Sequence, residues 1–124
     1  MKNEKFSTTQ KALSIKARPQ KAGVSVIVPC EPEGDPSACL KALKSLPKAE
    51  KALILDVFVV WGRHPSRQRN QAALQARGAW LLFLDADSRL SPGSLSSLLA
   101  SAQRFEAVAV GGPKLPLIDE SPLR

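Results

Sequence analysis

At 124 residues the chain has room for one small domain, and 44% hydrophobic with 23% charged residues is the balance of a globular protein, not of a disordered chain. No apolar run approaches the ~20 residues that cross a bilayer, and the polar, basic start has no apolar segment of a secretory signal. Much of the net charge of +7 lies in residues 1–22, with six basic residues against Glu4 alone, but too few aromatics accompany them to make the stacking platforms of a specific nucleic-acid binder.

Residues 1–22 read as a flexible basic leader, which leaves peripheral contact with an anionic membrane open. Val24 to Val28 is a short buried strand, stopped by Pro29. Cys30 to Asp35 is a Pro/Gly-rich loop. Asp35 or Ser37 can cap the next helix, with Pro36 in its first turn. Cys39, Leu40, Leu43 and Leu46 then recur at helical spacing until Pro47. The two cysteines are too few for a disulfide framework and read as reduced thiols of a cytoplasmic protein.

Ala52 to Val60 is a second strand, β-branched and aromatic toward its end. Trp61 to Pro65 forms a loop, and Ser66 can cap a helix running to about Arg77, with Gly78 as its stop. Ala79 to Leu84 is the third strand, followed at once by Asp85-Ala86-Asp87. Ser91-Pro92 starts another helix, whose Leu95, Leu98, Leu99 and Ala102 make an amphipathic stripe. Ala107 to Val110 is a fourth strand, closed by Gly111-Gly112-Pro113, and residues 114–124 form an extended tail. The organisation expected is a leader at 1–22, an α/β domain at 23–113 and the tail.

The order β-α-β-α-β-α-β is that of a Rossmann-like parallel sheet with alternating helices. Ligands of such sheets bind beyond the carboxyl ends of the strands. Three loops should meet there: Pro29 to Pro36, Trp61 to Arg69 and Asp85 to Ser91. The third carries two carboxylates two residues apart, just where an apolar strand emerges. Close like charges disfavour one another unless a cation joins them, and Mg²⁺ or Mn²⁺ prefers such oxygen ligands. The plain alternative is a turn with two solvated acids. Trp61 has two readings as well, a base-stacking ring or ordinary packing. Arg63, Arg67 and Arg69 are either a phosphate-facing cluster or a solvated loop, and His64 has no ligand-spaced partner.

These motifs resemble a known family. Val24-Ser-Val-Ile-Val-Pro29 is similar to the opening strand of family 2 glycosyltransferases. Arg69-Asn70, then Ala73, Ala76, Arg77-Gly78 and Leu82-Phe83-Leu84-Asp85-Ala86-Asp87, resembles that family's central motif. Leu90-Ser-Pro-Gly-Ser-Leu95 is similar to the family's next helix start, and Gly111-Gly112-Pro113 to its next strand end. The resemblance spans about residues 23 to 116. It implies a partial GT-A fold, a nucleotide-sugar donor such as a UDP-sugar, and Mn²⁺ or Mg²⁺. By matching position, Asp87 is the direct metal ligand, and Asp85 meets the ribose or a metal-bound water. Pro29 and Glu33 lie beside base and ribose, and Arg69 and Asn70 near the nucleotide.

The chain departs from the family in three ways. In the first loop, Glu31-Pro32-Glu33 replaces the usual Tyr-Asn-Glu. The second strand ends Val59-Val60-Trp61-Gly62-Arg63, without the usual acidic pair. The acceptor half is missing, and with it an identifiable general base, since Asp119 and Glu120 are the only carboxylates after Glu106. The expectation is therefore a glycosyltransferase-like donor-binding protein, truncated or completed by another chain. The alternative is a non-catalytic nucleotide- or partner-binding module that self-associates through an exposed strand edge. A haloacid-dehalogenase-like phosphatase ranks third, because the lysine and second acidic pair it needs are found only as Lys114 and Asp119-Glu120 in the tail.

Overall fold

The computed structural model describes residues 21–106 and 109–111. The elements are β1 (Lys21–Cys30), α1 (Ser37–Lys44), α2 (Lys48–Lys51), β2 (Ile54–Trp61), α3 (Pro65–Gln75), β3 (Gly78–Phe83) and α4 (Ser94–Arg104). The three strands form one parallel sheet in the order β2-β1-β3. The alternation of apolar strands and helices thus gives the α/β architecture expected of a partial Rossmann-like GT-A fold.

β1 is the centre of the sheet. Val24, Ser25, Val26, Ile27 and Val28 are all buried, on both faces, which is why this stretch of the strand is apolar at every position but Ser25 and does not alternate. Helix α3 covers one face, where Ile27, Phe58, Val60, Ala72 and Ala76 form a single apolar cluster. Each large side chain buried there contributes roughly 1.5–3 kcal/mol.

The other end of the sheet is held by a polar network around Ser25, which is fully buried. Its Oγ donates to Asp56 Oδ2 at 2.8 Å and accepts from the backbone N–H of Gly78 at 2.9 Å. Asp56 also accepts from Arg77 N at 3.0 Å and Arg77 Nε at 2.8 Å. Burial alone would raise the Asp56 pKa, but the hydrogen bonds from Arg77 and Ser25 outweigh it and hold the carboxyl below its ordinary value.

Several boundaries differ from the sequence reading. Ser66 lies inside the first turn of α3, because Pro65 takes the first helical position and His64 the cap. Gly78 is not the helix stop. Helix α3 ends at Gln75, and Gly78 begins β3. A Cβ at Gly78 would lie 2.7 Å from Ser25 N and 2.9 Å from the carbonyl carbon of Val24, so glycine is required by the close approach of β3 to β1. The short helix α2 follows Pro47 in a stretch without apolar periodicity. Of the expected fourth strand, Ala109 and Val110 are not in a strand, and Ala107 and Val108 lie outside the described residues. Most of the leader and all of the tail are outside them too.

Among the described residues, those up to Pro92 form one compact unit, and those from Gly93 a second. In the second, α4 starts two residues later than Ser91-Pro92 suggests. Gly93 caps it in a left-handed conformation (φ 89°), and Leu95 and Ala102 are its buried positions. No helix among the described residues is long and apolar enough to cross a membrane.

Candidate functional site

Parallel strands bring their carboxyl ends to one side of the sheet. Cys30 pairs with Trp61 across β1 and β2, and Ile27 with Phe83 across β1 and β3. Leu84 extends the last pairing by donating to Ile27 O at 3.0 Å. The three loops that leave these ends enclose a cleft of about 360 Å³. The first loop contributes Pro29, Glu31 and Asp35; the second, with the start of α3, Gly62, Gln68 and Arg69; the third, Asp85 and Asp87.

The cleft is acid-rich. Glu31, Asp35, Asp85 and Asp87 line it against Arg69 alone, so its field favours a cation. Asp85 and Asp87 are both exposed to solvent. They also lie close to α1: burial pushes the Cys39 thiol up, and the charges of Asp85 and Asp87 add to that shift. Burial likewise raises Cys30, helped by Asp35 and Glu31. Asp35 accepts from Ser37 N at 2.9 Å in the turn before α1, and that bond lowers its pKa; the cap of α1 is neither Asp35 nor Ser37 but Pro36, which makes no side-chain capping bond. Both cysteines are buried free thiols whose surroundings disfavour the thiolate.

Of the residues expected at the site, Pro29, Arg69, Asp85 and Asp87 line the cleft. Glu33 and Asn70 are exposed and do not line it. Glu33 is engaged elsewhere, in a two-pronged ion pair with Arg63, whose Nη1 and Nη2 lie 3.1 and 3.0 Å from its carboxylate oxygens. That hydrogen bonding holds Glu33 below its ordinary pKa. Arg63 therefore faces an acid of the first loop, and of Glu31 and Glu33 it is Glu31 that lines the cleft wall.

Gln68 is the residue that the sequence reading missed. It is 4% exposed, and its Nε2 donates to Val60 O. Its Oε1 is buried without a hydrogen-bond partner, a condition that costs roughly 1–3 kcal/mol. The signal was present in the spacing, since Gln68, Ala72 and Ala76 fall on one helical face.

Among the described residues no group of three or more His, Cys, Asp or Glu gathers as a metal cage. Mg²⁺ and Mn²⁺ do not need one. They keep several waters and are held by one or two carboxylates together with substrate phosphates, and Asp85 and Asp87 at the mouth of an acid-rich cleft fit that requirement.

No curated protein and no solved structure matches the chain. The description "Glycosyl transferase family 2" matches residues 33–120, which include two of the three strands and all three loops' acidic residues except Glu31. With a match over most of its length and a parallel α/β sheet that presents the Asp85-Ala86-Asp87 turn at its carboxyl end, the chain belongs to glycosyl transferase family 2.

Proposed function

We propose that the cleft binds the nucleotide-sugar donor of a glycosyl transfer, with Asp87 as direct ligand of a Mn²⁺ or Mg²⁺ ion and Asp85 beside it. The observation that carries this reading is the convergence of Asp85, Asp87 and Arg69 on one cleft from two different strand ends. When bound, the ion neutralises charge on the donor diphosphate. The chain's own residues then divide the work. Asp87 and Asp85 hold the ion and orient it. Arg69 presents a planar, permanently charged group to diphosphate oxygens. Pro29 and Glu31 form the wall of the first loop, against base and ribose.

Calorimetric titration of UDP, GDP, ADP and CDP, with and without Mn²⁺, tests the reading. Metal-dependent binding that Asp87→Ala abolishes is the expected result. Wild-type affinity in Asp87→Ala would refute the metal assignment, and no binding of any nucleotide would refute the donor site.

A second reading is favoured by one observation. Among the described residues β3 is an edge strand, and it leaves Leu81 39% and Phe83 49% exposed on the same face. Such a face suits a second copy of this chain, as in a non-catalytic, self-associating module. Light scattering that finds a monomer at all concentrations, unchanged by Phe83→Lys, would remove it.

A further inference from the structure

Helix α3 turns Gln68, Ala72 and Ala76 toward the sheet, and all three are buried. Ala72 and Ala76 sit in the apolar cluster with Ile27, Phe58 and Val60. Gln68 heads the same row. An apolar side chain would continue the row without leaving an acceptor unmatched, so packing alone does not account for an amide here.

The amide has one orientation. Nε2 donates to Val60 O, and turning the group over would set two acceptors against each other. Gly62 lies against its other side, where an added Cβ would come 3.1 Å from Oε1 and 3.2 Å from the amide carbon. The amide is thus held between the end of β2 and the first turn of α3. The connection between those two elements is only Gly62 to His64, and His64 makes no side-chain capping bond. The next residue, Arg69, is half-buried, and Gly62, Gln68 and Arg69 belong to one wall of the cleft.

We propose that Gln68 is a positioning residue: its amide ties the first turn of α3 to the end of β2 and so fixes where Arg69 meets the anionic part of the ligand. The proposal rests on the donor-site reading above.

Gln68→Glu and Gln68→Met test it, by calorimetry in Mn²⁺ with whichever of UDP, GDP, ADP or CDP the wild type binds best, alongside melting temperature by circular dichroism. A protonated carboxyl at position 68 can donate to Val60 O as the amide does; an ionised one cannot, and burial moves that ionisation upward from the usual glutamate range. Glu31, Asp35, Arg69, Asp85 and Asp87 line the same cleft in both proteins, so affinity is read as the ratio of variant to wild type at each pH.

For Gln68→Glu the Kd ratio is expected near one at about pH 5.5 and to rise about tenfold by about pH 8. Gln68→Met should bind about tenfold more weakly at every pH. A melting temperature of Gln68→Glu that falls with pH while the Kd ratio stays level would reduce the amide to a purely stabilising role and overturn the proposal. Wild-type affinity in Gln68→Met would also overturn it, even if Gln68→Glu does not fold. A wild type that binds none of the four nucleotides would instead remove the donor-site reading, and this inference with it.

Discussion

Replacing Asp56 with alanine should be among the most damaging single changes away from the cleft. In the native protein Asp56 accepts from Ser25 Oγ, Arg77 N and Arg77 Nε. Its side chain is 11% exposed, while that of Arg77 is 53% exposed. Truncation leaves the Ser25 hydroxyl, fully buried, and the Arg77 amide without their acceptor. A buried donor stranded in this way costs ~1–3 kcal/mol, and the exposed guanidinium, which recovers water, adds ~0–1 kcal/mol. The sum is about 1–4 kcal/mol. At ~4–8 °C per kcal/mol for a domain of this size, melting should fall by about 4 °C at the least and about 30 °C at the most.

The pH dependence fixes the sign. Asp56 titrates below its ordinary value of 3.8, so its bonds contribute fully above that value and are lost as the pH falls through the folded-state pKa. The melting temperatures of wild type and Asp56→Ala should therefore be far apart at neutral pH and converge in acid. Thermal unfolding followed by circular dichroism across that range is the assay. A gap under about 3 °C at neutral pH, or one that widens in acid, would refute the argument.

Gly78→Ala should destabilise by about 1–3 kcal/mol in urea unfolding, because the new methyl meets the backbone of Val24 and Ser25 at 2.7–2.9 Å and neither can yield as a side chain would. Cys30 and Cys39 are buried with raised pKa values, so a thiol reagent should label neither in the native protein near pH 8 and both in denaturant. Arg63→Ala removes an exposed ion pair and should leave the melting temperature within about 2 °C. The same change frees the Glu33 carboxyl, whose titration by NMR should move up toward the ordinary glutamate value.

Much of this fold is legible in the chain because its three strands are mostly apolar and α1 and α4 repeat their apolar residues at three and four. The expected cleft is legible for the same reason: parallel strands must deliver their following loops to one edge. What the sequence conceals depends on distant partners. Gly78 follows a helix and looks like its stop, but its role is set by Ser25 on another strand. Gln68 looks like a solvated helix residue because it is polar, although its spacing from Ala72 places it inward. Glu33 matches a family position, yet Arg63, thirty residues on, draws it to the rim. The helix Lys48–Lys51 is too short to carry any periodic signal.

The place of β1 in the middle of the sheet bears on how the protein is made. This strand has both its partners downstream, Ile54–Trp61 and then Gly78–Phe83. Until the second emerges, a nascent chain can form only a two-stranded parallel pair, too small to be stable in water. Each pairing must also close a long stretch of chain before any hydrogen bond rewards it, which slows folding. Ser25 waits in the same way, since its donor partner Gly78 arrives with the last strand. A ribosome-bound chain that stops short of Phe83 should therefore stay sensitive to protease, and resistance should set in as one step once β3 is free.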